Sequence, residues 1–188
     1  STEFSTAMSR KATRRKTPRP MTKARLQKAA VAYLQRFPSS VRHFRTIMQR
    51  KIERAESLSP NESADYGVWM REVEAFCAEV GLLNDRALAE AIARSQNRRG
   101  IAIRQIRQRL RHKGFDADCI ENGIRTLVDT LETNEGIHSD LYAALRYAKR
   151  RRFGPFSRSD SDWKTRQKQM ASLARRGFSY DIARTVIE

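Results

Sequence analysis

Apolar residues along this chain recur at steps of three and four, the period of an amphipathic helix. The clearest instance is Ile101 to Leu127, IAIRQIRQRLRHKGFDADCIENGIRTL. Ile103, Ile106 and Leu110 share one face of a helix. At about 100° per residue, Arg104, Arg107 and Arg111 gather on an adjacent face. Gly114 suits the left-handed position that stops a helix, and Phe115 is placed to pack back onto the helix it leaves. Asp116 is an N-cap for a following helix in which Ile120, Ile124 and Leu127 continue the stripe.

The same period predicts helices on both sides of this hairpin. A first helix starts near Thr22, with Leu26, Ala29, Ala30, Tyr33 and Leu34 inward, and ends at Phe37-Pro38, because a residue before proline avoids the α region. Ser39 or Ser40 caps a second, with Val41, Phe44, Ile47, Met48 and Ile52 inward and Arg42, Arg45, Arg50, Lys51 and Arg54 outward. Turn residues from Ser57 to Ser63 precede a third, whose stripe is Tyr66, Trp69, Val73, Phe76, Cys77 and Val80 and whose stop is Gly81. Tyr66 and Trp69 read as core at this spacing rather than as platforms for bases. Asn84 or Asp85 caps a fourth helix with Leu88, Ala91, Ile92 and Ser95 inward, closed by Arg98-Arg99-Gly100. The opening hairpin supplies the fifth and sixth, followed by a loop around Thr133 to Gly136. Ser139 or Asp140 caps a seventh, with Leu141, Leu145 and Ala148 inward and Lys149 to Arg152 at its end. The eighth carries Trp163, Met170, Leu173 and Ala174 inward, and the last starts at Ser179. Few stretches alternate with period two, so the fold class is all-α.

One hairpin is echoed by another. Leu110-x3-Gly114-Phe115-Asp116 matches Leu173-x3-Gly177-Phe178-Ser179 at an offset of 63, and Ile124 then matches Ile187. Both units begin with a helix that ends in a basic cluster before glycine, Arg98-Arg99-Gly100 and Arg152-Phe153-Gly154. Phe44 and Met48 match Ile106 and Leu110 more loosely, with Ile52 where glycine belongs. The expected organisation is three tandem three-helix repeats over 21–80, 81–133 and 137–188, stacked into an elongated, curved molecule. Residues 1–20 form a basic tail with almost nothing apolar to bury and are expected to be disordered; within it, STEFSTA at 1–7 reads as a vector-derived scar.

Charge narrows the partners. The 188 residues carry a net charge of +17 and a pI near 10.8. That excess attracts polyanions, nucleic acid first among them. An anionic membrane surface rests on net charge alone, and no apolar run approaches the roughly 18 residues of a spanning helix. Cys77 and Cys119 have no CxxC partner and read as buried free thiols of a reducing cytosol. His43, His112 and His138 are isolated, no glycine-rich phosphate loop is present, and no paired carboxylates suggest a magnesium site. No catalytic residue, cofactor or metal is expected.

A series of short motifs then resembles the RecX family, regulators of the RecA recombinase. It runs Gly81-Leu82-Leu83-Asn84-Asp85, Arg98-Arg99-Gly100, Leu110-Arg111-His112-Lys113-Gly114-Phe115, Arg151-Arg152-Phe153-Gly154-Pro155-Phe156, Asp162-Trp163-Lys164, Arg166-Gln167-Lys168-Gln169 and Leu173-Ala174-Arg175-Arg176-Gly177-Phe178-Ser179. The resemblance covers about residues 21–188 and is weakest in the first repeat. It implies a cytoplasmic, non-catalytic protein that lodges along the RecA filament on single-stranded DNA. It also implies suppression of recombinase, ATPase and coprotease activities, and with it a role in DNA repair and the SOS response. Oligomeric state is expected to be monomeric. A general DNA-binding role of helix-turn-helix or architectural type is the alternative, since a basic helix after a glycine turn would serve it too.

The residues expected to contact RecA or DNA are the clustered cations outside the apolar stripes: Arg98, Arg99, Arg104, Arg107, Arg111 and Lys113; Lys149, Arg150, Arg151 and Arg152; and Lys164, Lys168, Arg175 and Arg176. Lys164, Lys168 and Arg175 fall within about 40° of one another on the eighth helix. The cations of Arg150 to Arg152 also suit a helix C-terminus, a structural role that competes with binding.

Overall fold

The computed structural model describes residues 17–134 and 136–188; the basic tail expected at the start of the chain lies, as far as residue 16, outside them. The described residues form nine α-helices, one 3₁₀ turn and no strand. In chain order these are α1 (Lys23–Arg36), α2 (Val41–Leu58), α3 (Tyr66–Glu79), α4 (Asp85–Arg98), α5 (Ile103–His112), α6 (Ala117–Asn134), α7 (Ser139–Arg151), the 3₁₀ turn (Gly154–Phe156), α8 (Trp163–Arg175) and α9 (Tyr180–Ile187). Thr22, Ser40, Asp65, Asn84, Asp162 and Ser179 each accept the backbone N–H three residues on. Caps of this kind satisfy donors that a helix start otherwise leaves unpaired, worth about 1 kcal/mol each. His138, rather than Ser139 or Asp140, caps α7.

Three hydrophobic clusters follow one another along the chain. The first joins Leu26 and Leu34 of α1, Phe44, Met48 and Ile52 of α2, and Val73 and Cys77 of α3. The second joins Ala89 and Ala93 of α4, Ile106 and Leu110 of α5, and Ile120, Ile124 and Leu127 of α6. The third joins Ala144, Tyr147 and Ala148 of α7, Leu173 of α8, and Ala183, Val186 and Ile187 of α9. The architecture is a tandem array of three-helix modules. The seams are shared: Leu82 and Leu83 pack into the first cluster, and Ala102 into the third. Tyr66 and Trp69 pack edge-to-face against the first cluster, 5.5 Å between ring centroids. Cys77 is a buried free thiol, whereas Cys119, expected to be buried, is half-buried on α6; desolvation pushes both up, Cys119 to about 11.

Several inward stripes differ from the sequence expectation. On α4 the buried positions are Ala89, Ala93 and Asn97, while Leu88, Ile92 and Ser95 are half-buried and Ala91 is exposed. A Cβ on Gly123 would sit 3.2 Å from the Ala89 carbonyl carbon, so α4 and α6 cross where only small residues fit. On α7 the contact is again made by small residues, Ala143, Ala144 and Ala148, with Tyr147; Leu141 and Leu145 lie at its edge. Val80, Trp163 and Ala174 are exposed. Helix α7 ends differently from α4. Gly100 follows the last residues of α4 at φ +82°, whereas the left-handed position after α7 is taken by Arg152 at φ +58°, and Gly154 opens the 3₁₀ turn.

The two junctions between modules repeat one design. The first residue of the second helix donates its N–H to an aspartate in the first turn of the next module. Val41 N donates to Asp85 at 2.9 Å, and Ile103 N to Asp140 at 2.9 Å. The same helix start receives the glycine turn of the next module. Ser40 Oγ donates to the Lys113 carbonyl at 2.6 Å, and Ala102 N donates to the Arg176 carbonyl at 3.1 Å. Gly114 (φ +87°) and Gly177 (φ +92°) hold those turns, and a Cβ there would press on Ser40 and on Gln105 respectively. Burial pushes the Asp85 carboxyl above its usual value, against the pull of the Val41 N–H. Replacing Asp140 with alanine is expected to remove a charge-assisted bond worth about 1.5–3 kcal/mol at the second junction. Amide exchange of Ile103 should then quicken at least about tenfold, while amides of the α1–α3 core keep their protection. Unchanged protection at Ile103 would mean that the junction does not depend on this bond.

Candidate polyanion interface

Arginines from four helix ends converge where the second module meets the third. A cleft of about 600 Å³ is lined there by Arg99 after α4, Arg109 of α5, Arg151 at the end of α7, and Arg175 and Arg176 at the end of α8. Gln96, Ile101, Gln105, Tyr147 and Ser172 complete its wall, and no carboxylate belongs to it. Helix C-termini gather here because the Gly100 turn after α4 packs against α7 and the Gly177 turn after α8 packs against the start of α5. Cations suit such ends, where carbonyl groups leave partial negative charge.

Hydrogen bonds to neutral acceptors hold the cluster in place. The Arg99 carbonyl accepts from Arg150 Nη2 at 2.8 Å and from Arg176 Nη1 at 3.2 Å. Arg109 Nη1 donates to Gln96 Oε1 at 2.5 Å, and Gln105 Nε2 to the Arg175 carbonyl at 2.8 Å. The Arg176 guanidinium stacks over the Tyr147 ring at 4.2 Å from its centroid, and Tyr147 Oη shares a 2.7 Å hydrogen bond with Ser172 Oγ. Burial alone would raise the Tyr147 hydroxyl, but the Ser172 bond and the Arg176 charge outweigh it and hold the group below the usual tyrosine value. Among the described residues, none of the five lining arginines pairs with a carboxylate; the ion pairs join Lys23 to Glu72, Arg45 to Glu74, Arg107 to Glu121 and Arg184 to Glu188. Their positive charge is therefore uncompensated within the protein, the condition for capturing an external anion.

A larger cleft of about 680 Å³ lies between α2 and α3, lined by Arg45, Tyr66, Met70, Arg71 and Glu74 among others. Its electrostatics differ. Arg45 makes a two-pronged pair with Glu74, at 2.7 and 2.6 Å, and Tyr66 donates to Glu56 at 2.6 Å. Arg45 and Glu74 answer each other and Glu53 adds a second carboxylate to the lining, whereas Arg50 and Arg71 form no ion pair among the described residues.

The cations expected from sequence divide accordingly. Arg99, Arg151, Arg175 and Arg176 meet in the junction cleft. Arg150 buttresses it through the Arg99 carbonyl and lies 5.6 Å over Tyr147. Arg152 serves as the left-handed stop of α7. Arg98, Lys149, Lys164 and Lys168 are exposed. Arg104 and Arg111 are exposed on another side of α5, together with Lys113 after it. Arg107 departs from the expectation of a free binding cation: it is half-buried and holds Glu121 by two hydrogen bonds, 2.6 and 3.1 Å. That pair raises the arginine and lowers the glutamate. Arg109 does not stand out in the sequence, because it lies about 140–160° around α5 from Arg104, Arg107 and Arg111. Its i, i+4 neighbour Gln105 is the available signal, since that residue and Arg109 share the face that the third module meets.

Tandem three-helix modules with an arginine-lined junction define a modular helical protein. Among the described residues no helix is long and apolar enough to cross a membrane. Residues 84–124 match the family model of the second three-helix domain of RecX, and residues 139–187 that of the third. The chain is 31% identical over 174 residues to a regulatory protein RecX of Myxococcus xanthus, covering 92% of this chain and 89% of that one. It is 31% identical over 141 residues to a regulatory protein RecX of Agrobacterium fabrum, covering 75% and 69%. The crystal structure of RecX from Lactobacillus salivarius shares the fold, with a TM-score of 0.54 at 23% identity over 88% of this chain and 94% of that one. The chain belongs to the RecX family of regulatory proteins.

Proposed function

We propose that this protein binds RecA and its filament on single-stranded DNA and inhibits the filament's recombinase, ATPase and coprotease activities, as a cytoplasmic, non-catalytic monomer that tempers DNA repair and the SOS response. Family membership supports the partner. The observation that carries the binding mode is the uncompensated arginine cluster at the second junction, backed by the exposed cations of α5, α7 and α8. A long modular surface suits a groove along a filament, and an acidic or phosphate-bearing groove would be drawn to it.

The helix-turn-helix alternative is less well supported. A recognition helix presents its N-terminal residues to base edges. Here the N-terminal turn of α5 is covered by the third module: Ile103 N is bound to Asp140, and the Gly177 turn sits against Ala102 and Gln105. The start of α2 is covered likewise by Asp85 and the Gly114 turn, which leaves α8 as the one second helix of a module whose first turn is open among the described residues.

Titrating the protein into DNA-stimulated ATP hydrolysis by RecA should depress the rate in proportion to the ratio of protein to RecA, and less so as salt rises. Full ATPase activity at stoichiometric protein would sink the proposal. Affinity for naked DNA equal to that for the filament would favour the general DNA-binding role instead.

A further inference from the structure

The first turn of α8 is the third member of a series. Val41, Ile103 and Trp163 each open the second helix of their module. The first two present their N–H groups to the carboxylates of Asp85 and Asp140, each at 2.9 Å. An anion at this position is thus seated twice within the fold. At the third position no other element of the described residues covers the turn. It carries Trp163, 64% exposed where the valine and isoleucine are half-buried, with Lys164 Nζ 5.9 Å over the ring. Asp162 is engaged locally, accepting from Thr165 N at 2.8 Å.

We infer that α8 is a binding track for single-stranded nucleic acid, with a base stacked on Trp163 and the strand running along Lys164 and Lys168 to the arginine cleft. Lys164, Lys168 and Arg175 share one face of the helix, all exposed, and Arg175 also lines the cleft. From Lys164 to Arg175 the helix rises about 16 Å, room for roughly four or five phosphates at the 3.4 Å spacing of a stacked strand. A row of cations beside an exposed aromatic ring is the arrangement by which proteins hold unpaired strands, since every base has a face to stack. An acidic protein segment would satisfy the helix start, as Asp85 and Asp140 do, but would leave the indole ring without a purpose. The inference rests on the polyanion role of the junction cleft and does not require RecA.

The test uses the full chain carrying Trp69→Phe, which leaves Trp163 as the sole tryptophan of the two in the sequence. Oligothymidylate of about 20 nucleotides, a length within reach of such tracks, should quench its fluorescence, with the effect reversed by salt. Trp163→Ala should weaken binding about 5- to 150-fold, the range of one stacked base, and Trp163→Phe should restore most of it. Circular dichroism of each variant verifies folding; the exposed position 163 makes wild-type helicity the expected result. Unchanged affinity in Trp163→Ala with no quenching in the parent overturns the inference. A polyglutamate of matching charge that quenches as strongly as oligothymidylate also overturns it and gives the turn to an acidic protein. The titration contains no RecA, so a chain that binds the oligonucleotide through Trp163 yet leaves RecA hydrolysis untouched would refute the regulatory proposal alone.

Discussion

Replacing Gly100 with alanine is expected to destabilise the second and third modules by about 2–5 kcal/mol, the largest effect of any single methyl group at the second junction. Two causes add. Gly100 has φ +82°, a conformation that costs an L residue about 1–2 kcal/mol. It is also buried: an added Cβ would lie 2.5 Å from Tyr147 Cβ and 3.2 Å from the Ala143 carbonyl oxygen. The second obstacle is backbone and cannot rotate away, so α7 must shift; overpacking of this kind costs about 1–3 kcal/mol. A fall in Tm of about 10 °C is expected at this chain length. Gly81→Ala supplies the comparison, because Gly81 has nearly the same φ, +80°, with nothing within 4 Å of an added Cβ. An equal loss from both substitutions would show that strain alone matters and that packing against α7 does not. Because α7 carries Tyr147 and Arg151 into the junction cleft, Gly100→Ala should also weaken binding.

Reversing three charges of the cleft, Arg99→Glu, Arg151→Glu and Arg175→Glu together, is expected to weaken inhibition of the RecA filament about a hundredfold or more. Each removes an uncompensated cation and adds a repelling anion at the point where the cations converge. The salt dependence of binding should flatten by about one unit for each phosphate that the variant no longer neutralises. The fold should survive, because the junction uses the backbone carbonyls of Arg99 and Arg175 and not their guanidinium groups. Arg104→Glu with Arg111→Glu reverses two exposed charges on another side of α5 and should cost less. Arg107→Glu would combine any loss of binding with repulsion of Glu121 and so reports on stability as well. Inhibition retained by the folded triple variant, measured in the same ATPase titration, would remove the cleft from the binding surface.

Particular residues show how far the fold is legible without its tertiary structure. Helix starts are plain wherever a capping side chain precedes an apolar stripe, as at Thr22, Ser40, Asn84 and Ser179. Those signals are local and need no partner. The Gly114 turn and its copy at Gly177 are legible for the same reason. The stripes of α4 and α7 are not, because size, and not hydrophobicity, decides which face is buried when helices cross closely. Ala89 opposite Gly123 is only weakly apolar but is the residue that fits. Trp163 reads as inward on its apolarity, yet it occupies the helix start that the other two modules cover with a neighbour.

The candidate site divides the same way. That cations cluster at helix ends is written in the sequence at Arg98 to Gly100, Lys149 to Arg152 and Arg175 to Gly177. Which of them meet is not. Arg107 and Arg109 are two residues apart on one helix, but one is bound to Glu121 and the other faces the cleft, because residues two apart point to nearly opposite sides.

The sequence by itself determined the helices and most of their stops, which depend on residues within a turn or two of one another, together with the repeated motif and the excess of positive charge, which need no spatial neighbour at all. Only the tertiary structure decided which arginines are answered by carboxylates and which remain free. That depends on how one module is rotated against the next. The rotation is set by two aspartates and two glycine turns whose partners lie 37 to 74 positions away along the chain.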